Sequence, residues 1–223
     1  MGREGARGSG AQMTGPLGEA AEAAKQPRSM RDPAVRKQRR AMLDQPHMRE
    51  LASYARRLRR PGVEVPDFDP LDGGIEARVL FLFEKPGPMT TGAGNGQRSG
   101  SGFISRDNDD PTAEAVFNFM RQADIPRELT ILWNVIPWWN GSRPVERLEL
   151  QDGARRVVEL IHLLRNPRAV VLVGNKAAEA RSYLPITGLT VFTSSHPSPL
   201  VRARWPERWK AIPSEWRKVK QAL

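Results

Sequence analysis

Short continuous apolar runs alternate with amphipathic segments along most of the chain. Four runs, rich in Val, Leu, Ile and Phe, predict buried strands at residues 78–83, 129–135, 169–174 and 189–193. Segments with apolar positions three or four residues apart predict helices at residues 111–123, 148–164, 176–183 and 206–222. Strands that alternate with helices are typical of a parallel sheet covered on both faces. The pattern predicts an α/β protein, a three-layer α/β/α sandwich with a central four-stranded parallel sheet.

The first 62 residues follow a different pattern. Residues 1–30 are rich in Gly, Ala and Arg and contain no aromatic residue. Such a segment buries too little apolar surface to offset the entropy lost on ordering, so we predict a disordered basic tail. Residues 31–62 predict one or two helices, because Pro33 suits a first helical turn and scattered apolar residues follow it. Residues 63–223 then form the α/β/α domain.

Charge is concentrated at the two ends of the chain. The 223 residues include 35 Lys and Arg and 25 Asp and Glu, a net charge of +10. Residues 1–60 contribute +8, residues 200–223 contribute +5, and the centre is left at −3. Basic ends favour a polyanionic partner, because bound Lys and Arg release counterions from phosphates. An Arg-rich composition without such a partner explains the charge equally well.

Composition excludes several classes of function. The chain contains no Cys, so disulfides, thiolate nucleophiles, thiolate zinc sites and cysteine-held iron–sulfur clusters are ruled out. No apolar stretch approaches the roughly 18 residues of a membrane span. Residues 1–15 lack the apolar stretch of a secretory signal. We therefore expect a cytoplasmic, nucleoid-associated protein without a membrane partner.

Residues at the carboxyl ends of the predicted strands are the candidates for chemistry, because open parallel sheets bind ligands there. Glu84 follows the first strand and would place a carboxylate at the mouth of the sheet. The sequence Pro86-Gly87-Pro88 lets the backbone turn sharply and approach a ligand closely. Asn134 is an amide near the end of the second strand, where burial demands a hydrogen-bond partner from backbone or substrate.

The segment after the fourth strand carries the most distinctive group. His196 is followed by Pro-Ser-Pro-Leu, and the prolines fix the backbone around the imidazole. Ser195 and Ser198 offer hydroxyls that can hold a phosphate oxygen. A proline-rich turn with an incidental surface histidine is the alternative interpretation. His47 and His162 lie in or beside predicted helices and are expected to be structural.

The order of these motifs resembles the uracil-DNA glycosylase superfamily over about residues 65–223. The motifs that carry the resemblance are Glu84-Lys-Pro-Gly-Pro88, Gly102-Phe103, Asn134-Val-Ile-Pro137 and His196-Pro-Ser-Pro-Leu200. The resemblance implies an α/β/α fold that hydrolyses the N-glycosidic bond of uracil in DNA, or of other deaminated bases, and leaves an abasic site. It implies DNA as partner and no metal or organic cofactor. We expect a monomer.

The same resemblance implies roles for individual residues. Phe103 would stack on the flipped base, with Pro86 and Gly87 beside it, and Asn134 would read the uracil edge. His196 would hydrogen-bond the base carbonyl oxygen, and Leu200 would wedge into the duplex. Residues expected to contact the DNA backbone are Ser195, Ser198, Arg202 and Arg204. These roles agree with the physics of base flipping, in which stacking, edge hydrogen bonds and a wedge offset the cost of unstacking.

The chain departs from the family patterns at the residue that would activate water. The branch with the motif G-Q-D-P-Y has its Asp and Tyr where this chain has Lys85 and Gly87. The iron–sulfur branch has G-E-A-P-G, whose Glu falls on Glu84, although its four cysteines are absent here. Glu84 is therefore the first candidate. Asp107, shortly after Phe103, is the reserve, although the acidic residues before Pro111 would also cap a helix.

Two alternative functions stay open. If Lys85 pairs with Glu84, the ammonium lowers the pKa of the carboxyl group and weakens it as a base. The protein would then be a non-catalytic nucleic-acid-binding module of the same fold. The other alternative is a nucleotide-binding α/β protein unrelated to DNA, but the chain has neither a G-x-G-x-x-G nor a G-K-[ST] phosphate loop.

Overall fold

The computed structural model describes residues 26–87, 90, 100–186 and 188–223. The strands are β1 (Asp67–Phe68), β2 (Val79–Phe83), β3 (Phe103–Ile104), β4 (Thr130–Asn134), β5 (Ala169–Val173) and β6 (Thr190–Ser194). The α-helices are α1 (Pro33–Ala41), α2 (Arg49–Leu58), α3 (Pro111–Gln122), α4 (Arg147–Leu163), α5 (Asn175–Glu179), α6 (Pro199–Arg204) and α7 (Pro206–Arg217). Short 3₁₀ turns lie at Ser29–Arg31, Gly74–Glu76, Arg127–Leu129, Ala180–Tyr183 and Lys218–Ala222.

The central sheet has four parallel strands in the order β4-β2-β5-β6. In the register, Phe81 of β2 lies opposite Leu132 of β4 and Val171 of β5. The predicted sheet is confirmed, and each strand begins and ends within one residue of the predicted bounds. A second parallel pair, β1 with β3, was not predicted. Each of its strands has two residues, which is too short to show a hydrophobic period.

Helices cover both faces of the central sheet. Trp216 of α7 is fully buried, with its ring centroid 5.2 Å from Phe81 and 6.2 Å from Phe119 of α3. Successive strand residues point to opposite faces, so Trp133 points away from these helices. Its ring stacks on Phe68 at 3.6 Å and lies 6.3 Å from Tyr54 of α2. This confirms the three-layer sandwich.

Helix α2 and the residue before it belong to the same core as the sheet. Met48, Leu51 and Tyr54 are almost completely buried and join the main hydrophobic cluster.

The last residues of the predicted disordered tail, 26–30, are folded in the structure. Met30 is 1% exposed and its backbone N–H donates to the Asp107 carbonyl oxygen, while Arg28 pairs with Glu114 at 2.8 Å. Residues 26–30 are therefore part of the fold, and residues 1–25 of the predicted tail lie outside the described residues.

Candidate active site

A cleft of about 380 Å³ lies at the carboxyl ends of β2 and β4, on the face covered by α3. Four of the predicted site residues line it: Pro86, Gly87, Asn134 and His196. They come from three separate segments that follow β2, end β4 and follow β6. Parallel strands bring these segments together, because their carboxyl ends share one edge of the sheet.

Asn134 contributes a buried amide to the cleft. It is the last residue of β4 and is 4% exposed. Within the described part of the chain, no group donates to its side-chain oxygen or accepts from its nitrogen. Its amide atoms are not among the fully buried atoms that lack a partner, so they are accessible from the cleft. A ligand edge that offers both a donor and an acceptor would pair with both of them.

His196 faces the same cleft and is held from two sides. Its ring lies edge-on to Phe83, with 5.9 Å between the centroids. On the other side is Gly174, where φ is +88° and a Cβ atom would lie 3.0 Å from the Cβ of His196. Burial lowers the pKa of His196 to about 4, so the imidazole is neutral near pH 7. Neither ring nitrogen has a hydrogen-bond partner among the described residues.

Two residues of the cleft wall were not predicted as site residues. Asn108 is 2% exposed, and its Nδ2 donates to the Phe103 carbonyl oxygen at 2.9 Å, whereas its Oδ1 is buried with no partner in the described residues. Asp110 caps α3, as the acidic residues before Pro111 predicted, and burial raises its pKa. Sequence spacing gives no signal that either side chain reaches the cleft.

Glu84 follows β2 directly and is half buried. Burial raises its pKa. It is not among the described residues that line the cleft, although the next residue, Lys85, does line it. The Nζ of Lys85 lies 2.7 Å from Oε1 of Glu149 and 2.9 Å from Oδ1 of Asn140. Lys85 therefore pairs with Glu149, and the pairing with Glu84 considered from the sequence is not found.

Asp107, the reserve candidate for handling water, is fully buried away from the cleft. It belongs to a cluster of three arginines and three aspartates, which we call the buried Arg–Asp cluster. Its members are Arg39, Asp69, Asp72, Arg106, Asp107 and Arg127. Both carboxylate oxygens of Asp107 accept from guanidinium groups, at 2.8 Å from Arg39 and at 2.9 and 3.1 Å from Arg127. This placement argues against Asp107 as the residue that activates water.

The buried Arg–Asp cluster supports the cleft wall from behind. Burial raises the pKa of Asp69, but Arg127 and Arg39 outweigh it and hold the pKa below its usual range. Asp69 also accepts a hydrogen bond from the hydroxyl of Ser105, which lines the cleft. The segment from Ser105 to Asp110 is thus tied to α1 on one side and faces the cleft on the other.

Phe103 occupies a different position from the one expected of a base-stacking residue. Its side chain is fully buried, and Cζ of Arg40 lies 5.4 Å from the ring centroid. The next residue of β3, Ile104, lines the cleft. Because consecutive strand residues face opposite sides, only one of the two can point at the cleft. In this structure that residue is Ile104.

The segment after His196 starts a short helix with an exposed apolar tip. Ser198 caps α6, with its Oγ accepting from the Val201 N–H at 3.3 Å. Leu200 lies in the first turn of α6 and is 59% exposed. The backbone N–H of Ser195 donates to a carboxylate oxygen of Glu215 at 3.2 Å. An exposed leucine beside the cleft suits the predicted wedge.

Two predicted DNA-contacting arginines follow on α6. Arg202 and Arg204 are exposed, and Cζ of Arg202 lies 5.0 Å from the ring centroid of Trp209. Neither arginine has an acidic partner among the described residues. Both guanidinium groups can therefore bind a polyanion that contacts Leu200.

In the part of the chain that the structure describes, no group of three or more His, Cys, Asp or Glu residues is arranged to hold a metal ion. The helices of the same residues are too short or too polar to cross a membrane.

The fold and the cleft define an α/β/α protein with a ligand site at the carboxyl edge of a parallel sheet. The sequence model of the Uracil DNA glycosylase superfamily matches residues 70–218, more than half of the chain. The chain belongs to this superfamily. Among solved structures, it is similar to a mimivirus UNG variant in complex with UGI, with 15% identity and a TM-score of 0.39. That match covers 86% of this chain and 79% of the other. No curated protein matches the sequence.

Proposed function

We propose that the protein is a DNA repair glycosylase that hydrolyses the N-glycosidic bond of uracil in DNA and leaves an abasic site. Membership of the superfamily supports a glycosylase in general. One observation supports the specific proposal: buried Asn134 and half-buried His196 face the same cleft of about 380 Å³, and neither side chain has a partner among the described residues. A planar base with donors and acceptors on its edge would satisfy both side chains.

The reaction requires a base that has left the DNA stack. In the proposed complex, the amide of Asn134 pairs with the uracil edge and Ile104 supplies an apolar wall in place of Phe103. A neutral His196 donates an N–H to a carbonyl oxygen of the base, where negative charge grows as the glycosidic bond breaks. Donors placed in advance at such a site stabilise the transition state. Leu200 fills the gap in the duplex.

Water attacks C1′ of the deoxyribose as the bonding electron pair leaves with the base, and a carboxylate takes the proton from water. Glu84 remains the proposed carboxylate, because it is half buried after β2 and its side chain has no hydrogen-bond partner in the described residues. Asp110 replaces Asp107 as the reserve, because it lines the cleft. One Asp110 oxygen caps α3, and the other has no partner in the same residues.

The identity of residue 87, a glycine, affects which bases the cleft would accept. Gly87 lines the cleft at the position where the family branch with G-Q-D-P-Y has a Tyr that excludes a 5-methyl group. With no side chain there, we expect discrimination against thymine to be weak, and other deaminated bases remain within the proposed substrate class. The competing hypothesis is a module that binds DNA without turnover, and it was motivated by a Lys85–Glu84 ion pair. Lys85 pairs with Glu149 instead.

The test is a cleavage assay on labelled oligonucleotides that contain uracil, hypoxanthine or a T:G mismatch, single- and double-stranded, with alkali to break abasic sites. We expect breakage at uracil, and its loss in either Glu84→Gln or Asp110→Asn identifies the water-activating carboxylate. Glu128→Gln is the matched control, because Glu128 is exposed just before β4, at the opposite end of that strand from Asn134. No breakage on any substrate, with binding retained, would make the protein a binding module.

A further inference from the structure

A second pocket, lined by four arginines, lies on the other face of the sheet from the cleft. We call it the arginine pocket, and its arginines are Arg57, Arg59, Arg60 and Arg156. It has a volume of about 260 Å³ and lies between α2 and α4. The aromatic rings of Tyr54 and Trp138, both buried, form its floor. Nothing in the proposed reaction uses these residues.

The arginines of this pocket divide into two paired and two unpaired residues. Arg59 lies 2.5 Å from Asp67, and Arg156 lies 2.7 Å from Glu159. By contrast, among the residues that the structure describes, the Arg57 side chain donates only to the hydroxyl of Ser53, at 3.1 Å.

Arg60 is the second unpaired arginine. Its guanidinium lies over the Trp138 ring, with 5.7 Å between Cζ and the centroid. Neither Arg57 nor Arg60 has an acidic partner among the described residues. Two carboxylates, Asp152 and Glu159, also line the pocket, so its four arginines leave a net charge of +2.

This arrangement suits a phosphate group. A guanidinium offers a planar fork of N–H donors that matches two phosphate oxygens. Stacking on Trp138 restricts the side chain of Arg60 before any ligand arrives, so less conformational entropy is lost on binding. Two unpaired cations beside a concave aromatic floor would bind an anion with more than one oxygen.

A hydrogen-bonded chain of three side chains links the cleft to the arginine pocket. Lys85 lines the cleft, and its Nζ lies 2.7 Å from Oε1 of Glu149. The same Oε1 accepts from Nε1 of Trp138 at 2.9 Å, and Trp138 lines the arginine pocket. Lys85, Glu149 and Trp138 therefore connect the cleft to the arginine pocket around the carboxyl edge of the sheet.

We propose that the arginine pocket binds a backbone phosphate of the DNA strand whose base enters the cleft, with Arg57 and Arg60 as the phosphate-binding residues. The identity of the strand rests on the proposed function. The phosphate chemistry does not, because it follows from the unpaired guanidinium groups.

The experiment measures the dissociation constant of a fluorescent single-stranded uracil oligonucleotide across a range of salt concentrations. We expect Arg57→Ala and Arg60→Ala each to lower the slope of log K against log salt by about 0.7, the contribution of one phosphate contact on a single strand. At 0.1 M salt that slope corresponds to about fivefold weaker binding. Arg155→Ala is the matched control, because Arg155 is an exposed arginine of α4 that does not line the pocket.

Further measurements distinguish the loss of a phosphate contact from a packing defect and from a site for free phosphate. Arg60→Lys retains a cation and should recover most of the slope, whereas a packing defect would not be rescued. Unchanged slopes in both alanine variants would overturn the proposal. Inorganic phosphate is titrated against the labelled oligonucleotide at constant ionic strength. If both alanine variants lose phosphate binding but keep the affinity for DNA, the pocket is a site for free phosphate and the proposal fails.

Base release separates this proposal from the proposed function. In the arginine variants we expect the rate at saturating oligonucleotide to be unchanged and KM to rise about fivefold, following the loss of one phosphate contact. If the wild-type protein releases no uracil, the proposed function fails. The salt slopes would still decide whether the arginine pocket binds DNA.

Discussion

The buried Arg–Asp cluster and the cleft both collect buried polar side chains, on two sides of the segment from Phe103 to Asp110. In the cluster, each of the three carboxylates lies within 3.2 Å of two guanidinium groups. In the cleft, Asn134, His196 and Oδ1 of Asn108 have no partner among the described residues. Burial of polar groups is common to both, so burial alone does not mark function. The cluster also holds two buried atoms without a partner in the described part of the chain, Oδ2 of Asp72 and Nε of Arg106. What distinguishes the cleft is that its polar side chains border open space that a ligand can fill.

The largest expected effect is on stability, from Arg127→Met. Arg127 contacts all three aspartates of the cluster, and its removal leaves buried carboxylates with too few cations. Breaking a buried ion pair by removing one partner costs about 3–5 kcal/mol. We expect a loss of that size in the free energy of unfolding, measured by urea denaturation.

Arg165→Met is the control for this prediction. Arg165 pairs with Glu76 at 2.6 Å, but its side chain is 65% exposed. Exposed pairs contribute about 0–1 kcal/mol, so this variant should unfold nearly as the wild type does. Equal losses in the two variants would show that the cluster is not a special source of stability.

The next effect is on activity, from Asn134→Ala. Its amide is buried without a partner in the described residues, so its removal costs the free protein nothing in hydrogen bonds. We expect uracil release to fall by about 10²–10³-fold, the usual effect of losing a positioned hydrogen-bond donor. The free energy of unfolding should stay the same or increase. A variant that loses stability in parallel with activity would place Asn134 with the structural residues.

The sequence identified the parts of the molecule that repeat a local pattern. The four central strands and the helices after them follow hydrophobic periods, and their bounds match closely. Asn134 and His196 reach the same cleft because one ends a strand and the other follows one, and the topology brings these strand ends together. Glu84 was placed at the same edge for the same reason, but its exact orientation depends on packing that no spacing describes.

The parts that the sequence did not identify depend on distant contacts. Arg39 and Asp107 are 68 residues apart, and no local pattern joins them. Phe103 and Ile104 are consecutive in a two-residue strand, and which of them faces the cleft depends on the pairing with β1. Lys85 lies next to Glu84 in sequence, but its ammonium group forms an ion pair with Glu149 on α4.

The smallest expected effect is a pH dependence that distinguishes His196 from the other histidines. Its pKa is about 4 in the folded protein, below the ordinary value of 6.5, because burial disfavours the charged form. The unfolded chain therefore binds the proton first as pH falls. The stability linked to neutral His196 is complete above about pH 6.5 and is lost between there and about pH 4, by about 3 kcal/mol at most.

His196→Gln makes this contribution measurable, because the variant cannot bind the proton and every other titrating group is retained. The difference in the free energy of unfolding between wild type and variant should decrease as pH is lowered from about 7 to about 4.5. Urea denaturation at a series of pH values gives this difference directly, and His162→Gln provides the control on an exposed histidine of α4. A difference that stays constant with pH would mean that His196 titrates alike in both states. Burial would then not be what keeps the imidazole neutral in the cleft.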